Sequence, residues 1–160
     1  MTRAVMPHMR RQGIINIGSV LGFLPMPYGA LYSASKHAIE GYSESLDREL
    51  RTRDIRVSVI EPAYTKTQFD ANFLARDSRL DEYREVRALL DKVLKQVMAT
   101  ADEPTVVADG VLEAALADRP KLRYAADPAS TLSHCGSSAR VVTTPYFGSG
   151  SRVALRGSAA

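Results

Sequence analysis

The sequence is poor in the residues that build disulfide bonds and metal sites. It has one cysteine, three histidines and no tryptophan in 160 residues. A lone Cys135 cannot form an intramolecular disulfide, which excludes a small secreted domain stapled by disulfides. The histidines, at positions 8, 37 and 134, lack the spacing of a helical metal-binding pair, so we expect no metal site. With 45% hydrophobic residues and a formal net charge of +3, disorder along the whole chain is not expected.

The chain also lacks a block of like charge and an unbroken membrane-spanning segment. Its 21 basic and 18 acidic residues are spread along the sequence, which is typical of a solvated surface and does not favour nucleic-acid binding. Residues 12–35 carry no charge, but Pro25 and Pro27 would break a helix near the middle of that run, so we expect no membrane span. No secretory signal is visible, and we predict a cytoplasmic protein.

What the sequence does contain is an alternation of strand-like and helix-like segments. Short runs of β-branched residues are typical of buried parallel strands, and apolar residues at three- and four-residue steps indicate helices. These patterns predict the end of a helix over residues 1–12, strands over 13–19, 55–62 and 121–126, and helices over 30–53, 81–99 and 104–117. A strand, a long helix and another strand form a βαβ unit, which predicts an α/β fold with a parallel sheet.

The composition changes at residue 127. Beyond it Ser, Gly, Thr and Ala dominate, and no hydrophobic periodicity remains. We therefore predict a folded unit over residues 1–126 and a disordered tail over residues 127–160.

Three polar residues of the βαβ unit are candidates for chemistry. Tyr32 and Lys36 are four residues apart and share one helix face, where an ammonium group favours a phenolate over a phenol. Ser19 stands at the carboxyl end of the first strand, and the second strand ends at Pro62 on the same edge, where open α/β sheets bind ligands. Each residue alone has an ordinary structural explanation, as an exposed pair, a turn cap or a strand terminator. The combination in this order on one unit favours a catalytic site.

The segment "IINIGSVLGFLPMPYGALYSASKHAIEGYSESLDREL" closely resembles the catalytic segment of short-chain dehydrogenases/reductases. The matching features are the strand end Asn16–Ser19, Gly22, the spacing from Ser19 to Tyr32 and the Tyr32-x-x-x-Lys36 motif. The resemblance continues through "VSVIEPAYTKT" and, more weakly, to about residue 126. It implies a Rossmann-like, doubly wound parallel sheet and an oxidoreductase that uses NAD or NADP on a small-molecule carbonyl or secondary alcohol.

The resemblance also implies a role for each matching residue. Tyr32 would be the acid/base that exchanges a proton with the substrate oxygen, Lys36 would assist it and hold the nicotinamide ribose, and Ser19 would bind the reacting oxygen. Cofactor contacts would come from Tyr32 and Lys36 and from the loop after the second strand, through the residues Pro62, Ala63, Thr65 and Thr67. The cofactor would carry the hydride, and the protein would position it.

The sequence departs from the family's pattern, and two of the departures bear on cofactor binding. Ala63 stands where the family usually has glycine, and the glycine-rich phosphate loop has no counterpart, since Gly18-x-x-x-Gly22 belongs to the catalytic loop. We therefore predict that the N-terminal half of the domain is missing, as in a truncated or frame-shifted copy, and that the isolated chain binds NAD(P) weakly. The alternative is a non-catalytic remnant or dimerisation module, which would self-associate through the helices near residues 1–12 and 30–53.

Two further interpretations concern the reaction and the substrate. A serine hydrolase is excluded because Ile17 and Leu21 occupy the glycine positions of the nucleophile elbow around Ser19. Apolar residues after Pro62 favour a hydrophobic alcohol or ketone over a sugar, although packing alone would also account for them; they are Phe69, Phe73, Leu74, Tyr83 and Leu89.

Overall fold

Three parallel strands form the centre of the structure, a computed structural model that describes residues 2–9, 13–68 and 80–127. The strands are β1 (Gly13–Ile17), β2 (Arg56–Glu61) and β3 (Arg123–Ala125), and their order in the sheet is β1-β2-β3. Ile14 lies opposite Val57, and Ile60 lies opposite Tyr124. The central position of β2 follows from its sequence, because Val57, Val59 and Ile60 are β-branched and fully buried, as in a strand covered on both faces.

Four α-helices accompany these strands in the described residues. They are α1 (Thr2–Val5), α2 (Ala30–Leu50), α3 (Arg84–Ala99) and α4 (Thr105–Leu116), and short 3-10 turns cover Met6–His8, Val20–Gly22, Arg51–Arg53 and Asp81–Tyr83. The helix α2 connects β1 to β2, which are adjacent and parallel. The predicted βαβ unit is therefore confirmed.

Different helices cover the two faces of the sheet. On one face, α2 packs Leu46 and Leu50 against Val57. On the other face, α4 packs Ala114 against Ile60. Side chains an odd number of positions apart along a strand point to opposite faces of the sheet. Val57 and Ile60 therefore belong to two separate hydrophobic cores, one on each face. This arrangement confirms the predicted α/β class with helices on both sides of a parallel sheet.

Two predicted helix ends lie too far along the chain, for local reasons. The first helix ends early, because a 3-10 turn containing Pro7 follows Val5 and Met9 is extended. The helix α2 ends at Leu50, since a 3-10 turn follows and Asp54 adopts a left-handed φ of 55°. Residues 69–79 and 128–160 lie outside the described part of the chain, and with them Phe69, Phe73, Leu74 and nearly all of the predicted tail. Within the part that is described, no helix is both long and apolar enough to cross a membrane.

A buried carboxylate joins the end of α2 to the start of β2. Asp47 accepts hydrogen bonds from Arg51 Nη2 (2.7 Å) and Nε (3.0 Å), from Arg56 Nε (2.9 Å) and from the backbone N–H of Val57 (3.0 Å). Burial by itself raises the pKa of Asp47, but these donors outweigh it and lower the pKa to about 2. The ionised Asp47 carboxylate therefore holds the end of α2 against the amino end of β2.

Candidate active site

Ser19 lies just beyond β1, at the carboxyl edge of the sheet. Its backbone is extended and its side chain is buried, and its Oγ accepts the N–H of Leu21 at 3.2 Å, which caps the short turn Val20–Gly22. The backbone on each side of it is tied to the neighbouring strand, since Gly18 N donates to Ile60 O and Val20 N donates to Pro62 O. Ser19 is thus held in place by its own turn and by the end of β2.

Tyr32 and Lys36 occupy the first two turns of α2. The Lys36 ammonium donates to the carbonyl of Gly18 at 3.0 Å and to that of Ile17 at 3.4 Å. It lies 5.6 Å from the centre of the Tyr32 ring. Burial lowers the pKa of Lys36 from its ordinary value. The ammonium therefore lies between Tyr32 and the strand end that leads directly into Ser19, so these three predicted residues share one edge.

The loop before α2 is folded against the start of the helix. Met26 N donates to Ser33 Oγ at 3.3 Å, and Tyr28 adopts a left-handed φ of 62°. The Tyr28 ring makes an edge contact with Tyr83, with ring centres 6.3 Å apart. Tyr83, expected from the sequence to contribute to an apolar substrate region, therefore borders the loop that precedes Tyr32.

The loop after β2 is held by contacts that the sequence did not reveal. Ala63 N donates to the buried carboxylate of Asp127 at 2.9 Å. Thr65 forms a parallel bridge with Asp102 in the connection between α3 and α4. Its Oγ1 is buried and has no hydrogen-bond partner among the described residues. Thr67 is exposed and lines an open cavity of about 600 Å³ together with Lys66, Gln68, Met98 and Pro104. Thr65 and Thr67 thus lie beside the α3–α4 connection, whereas Pro62 remains bonded to the Ser19 turn.

Sequence reasoning missed a buried charged cluster below the Ser19 turn. Glu61, the last residue of β2, has no exposed surface, and Glu40 of α2 is also buried. Arg123 of β3 places its Nε 3.1 Å from Glu40 Oε2 and 3.6 Å from Glu61 Oε1, and its Nη2 donates to Glu44 at 3.0 Å. Burial first, and the negative charge of Glu40 second, raise the pKa of Glu61. An acid directly after the apolar residues Val59 and Ile60 of a buried strand was the available signal.

The side chains described in the structure form no group of three or more His, Cys, Asp or Glu arranged to hold a metal ion. The carboxylates of the buried cluster are instead directed toward the guanidinium of Arg123.

Known proteins match this chain over its βαβ unit and beyond. Residues 1–78 match the family model described as short chain dehydrogenase. An uncharacterised oxidoreductase of Schizosaccharomyces pombe is 35% identical over 125 residues, which cover 76% of this chain and 52% of that protein. The 3-ketodihydrosphingosine reductase of Bacteroides thetaiotaomicron is 47% identical over 75 residues, which cover 45% of this chain and 28% of that protein.

A solved structure gives the same result for the fold. A short-chain dehydrogenase/reductase from Burkholderia phymatum in complex with NAD superposes with a TM-score of 0.66 at 25% identity, covering 86% of this chain and 53% of that one. The chain spans about half the length of this protein and of the Schizosaccharomyces relative. Together with the arrangement of Ser19, Tyr32 and Lys36, these matches show that the chain belongs to the short-chain dehydrogenase/reductase family.

Proposed function

We propose that this chain carries the catalytic residues of a nicotinamide-dependent oxidoreductase, which transfers hydride between NAD or NADP and a carbonyl or secondary alcohol. The observation that carries the proposal is the position of the Lys36 ammonium. It is half-buried, bonded to the carbonyl of Gly18, and 5.6 Å from the Tyr32 ring. A cation held beside a phenol, at a strand end that presents a serine, supports proton transfer to a substrate oxygen.

The described residues fit the nicotinamide end of such a cofactor. An ammonium group has three N–H donors, and two carbonyls account for two of those on Lys36, leaving one for a ribose hydroxyl. Thr65 Oγ1, buried and without a partner in the described residues, is a polar atom suited to the cofactor's amide. Pro62, Ala63 and Thr67 complete the loop that would flank it. A bound nicotinamide supplies or accepts the hydride.

The chain's own residues would handle the proton and the substrate oxygen. In the reducing direction, the Tyr32 hydroxyl donates its proton to the substrate oxygen, and the nearby Lys36 cation stabilises the phenolate that remains. In the oxidising direction the phenolate takes the proton back. Ser19 Oγ already accepts the N–H of Leu21, so its own O–H can donate to the reacting oxygen and stabilise the charge that develops there.

The test compares Tyr32→Phe with Tyr42→Phe. Both residues are on α2, but Tyr42 is exposed and lies on a later turn of the helix. Each variant is made in this chain and in a fusion that places the preceding half of the Burkholderia phymatum protein before Met1. Turnover of a panel of apolar ketones is followed by the absorbance of the reduced nicotinamide. We expect Tyr32→Phe to lose at least about 100-fold in turnover, and Tyr42→Phe to match the parent. Full activity of Tyr32→Phe would overturn the assigned role.

A non-catalytic or dimerising role is the second candidate. Calorimetric titration of the unfused chain and of the fusion with NADH and NADPH, read together with turnover, separates the two. We expect the unfused chain to bind weakly, since these 160 residues contain no glycine-rich loop whose backbone amides would contact the pyrophosphate. Binding to the fusion without any turnover would favour the second candidate over the first.

A further inference from the structure

The helix α3 has one half-buried apolar face, here called the α3 face, and none of its residues is fully buried. The apolar side chains of this face recur at three- and four-residue steps and are Val86, Leu90, Val93, Leu94, Val97 and Met98. The opposite side, which includes Lys92 and Lys95, is exposed to solvent. The α3 face is therefore sheltered from water only in part, unlike the faces of α2 and α4 that reach the two cores.

The two ends of α3 contact the loops that flank the candidate active site. Tyr83 directly precedes α3, and its ring centre lies 6.3 Å from that of Tyr28, which comes four residues before Tyr32. At the other end of the helix, Met98 lines the cavity of about 600 Å³ together with Thr67. The helix therefore bridges the loop that leads into α2 and the loop that follows β2.

One residue of the α3 face is charged. Arg87 is half-buried, follows Tyr83 by one turn and precedes Met98 by about three turns, so it shares the side of the helix that meets both loops. Its guanidinium carbon lies 5.9 Å from the centre of the Tyr83 ring, within the range of a cation–π contact. Among the residues that the structure describes, no carboxylate pairs with this guanidinium, whereas the exposed Arg84 pairs with Asp81.

The position of Arg87 suits the recognition of an anion. A guanidinium presents five N–H donors in a planar fork that matches the two oxygens of a carboxylate. Stacking on an aromatic ring orients this fork and leaves its donors available to a ligand. Apolar surroundings strengthen a charged hydrogen bond, because less water competes for the donors. A cation on an apolar face, beside the loop that leads to Tyr32, is therefore placed to select a charged group on an otherwise apolar molecule.

We propose that Arg87 binds a carboxylate of the substrate, while the apolar part of the substrate packs against the α3 face. This proposal rests on the proposed function, since it takes the edge that carries Ser19 and Tyr32 as the place where the carbonyl group reacts. The substrate class then narrows from apolar ketones to oxo acids, in which an apolar chain separates the ketone from the carboxylate. The Tyr28 and Tyr83 rings would border the bound acid next to its charged group.

The first experiment measures binding to the full 160-residue chain without cofactor, and therefore without turnover. The probes are oxodecanoic acids that differ in the position of the oxo group, each compared with its own methyl ester, which keeps the ketone and the chain but lacks the charge. Binding is followed by NMR through the Arg87 side-chain N–H groups and the Tyr28 and Tyr83 rings. We expect at least one acid to bind about 10-fold more tightly than its ester and to shift the Arg87 resonances. Equal affinities of acid and ester throughout the series would overturn the proposal.

The second experiment compares Arg87→Gln with Arg84→Gln. Both substitutions remove a positive charge near the start of α3, but Arg84 is 76% exposed and already paired with Asp81. We expect Arg87→Gln to lose the preference for the acid and to keep the affinity for the ester. Arg84→Gln should retain the ratio of the parent. Arg87→Lys, which keeps the charge without the planar fork, should retain part of the preference.

The ratio of acid to ester affinity separates recognition from a merely structural role. If Arg87 only held α3 in place, its substitution would weaken the binding of acid and ester together, and that result would overturn the proposal. An unchanged ratio in Arg87→Gln would also overturn it. In the fusion used to test Tyr32, the acid should exceed its ester in kcat/KM by about the same 10-fold, mainly through KM.

The two proposals fail in distinguishable ways, because binding to Arg87 is measured without turnover. If Tyr32→Phe retains full activity while acids still bind through Arg87, the assigned role of Tyr32 is wrong and the carboxylate site stands. If Tyr32→Phe is inactive while acid and ester bind alike, the proposed substrate class alone is wrong.

Discussion

The two ends of β2 each contain a buried carboxylate site, and the sites are built in opposite ways. At the amino end, Asp47 accepts four hydrogen bonds from three residues, and its pKa lies well below the ordinary value. At the carboxyl end, Glu61 shares Arg123 with Glu40, and its pKa lies above the ordinary value. Burial disfavours ionisation at both ends, so the difference lies in the neighbouring groups: hydrogen-bond donors outweigh burial at Asp47, whereas burial and the negative charge of Glu40 outweigh Arg123 at Glu61.

This contrast distinguishes the amino end of β2, which stabilises the fold, from its carboxyl end, where the candidate catalytic residues lie. A fully paired charge fixes α2 to β2 and needs no change of protonation near neutral pH. A crowded pair costs stability and responds to pH, which is tolerated more often at functional edges of a fold than elsewhere. The Ser19 turn and Lys36 are at the crowded end.

Asp47→Ala should give the largest loss, because it would remove the acceptor of four hydrogen bonds at once. The buried N–H of Val57 would have no partner and the Arg56 cation no counter-charge. We expect a loss of about 3–5 kcal/mol in the free energy of unfolding, measured by urea denaturation at neutral pH. A loss as small as that of an exposed pair would show that the amino end is not the stabilising end.

Gly22→Ala tests how closely the turn rests on Glu40. The new Cβ would lie 2.9 Å from Glu40 Cγ and 3.2 Å from the carbonyl of Lys36, so we expect a loss of about 1–3 kcal/mol from overpacking. Gly41→Ala, on α2 beside Glu40, is the control, since a Cβ there meets nothing within 4 Å. That change should stabilise the chain by about 0.5–1 kcal/mol. Equal effects of both substitutions in a thermal unfolding series would contradict the close contact.

Acid should weaken the amino end selectively. The pKa of Asp47 is lowered from 3.8 to about 2, so its contribution is present above pH ~4 and is lost as the pH falls through about 2. That shift corresponds to about 2 kcal/mol. Asp47→Asn lacks this contribution at every pH, so its stability deficit relative to the parent should shrink on acidification. A deficit that stays constant from pH 6 to pH 2 would exclude a folded-state pKa this low.

Arg48→Ala is expected to have the smallest effect. Arg48 pairs with Glu44 across one turn of α2, and its side chain is 71% exposed. Exposed pairs of this kind contribute about 0.3–0.5 kcal/mol, and salt screens them. Chemical denaturation with and without added salt measures this contribution. A loss approaching that of Asp47→Ala would remove the distinction between buried and exposed pairing on α2.

The sequence predicted the parts of the molecule that depend on local patterns. The β-branched runs placed β1 and β2, and the spacing of Ser19, Tyr32 and Lys36 marked one edge of the sheet. It did not reveal Arg123, which reaches Glu40 across 83 positions of the chain. Asp127, assigned from composition to the start of the tail, is buried against Ala63. Contacts of this kind depend on strand order in space, which no local pattern encodes.

The hydrogen bond between Ala63 and Asp127 has a consequence for the order of folding. It joins residues 64 apart, and the Arg123 contacts to Glu40 and Glu44 join residues even further apart. Closing such long loops costs chain entropy before the contacts form, so non-local pairings are slow steps. We expect β1, α2 and β2 to associate first and the loop after β2 to settle when β3 docks. While β3 has not yet emerged from the ribosome, the nascent chain would then carry Tyr32 and Lys36 on a formed helix. The loop after β2, which is proposed to flank the cofactor, would not yet be folded.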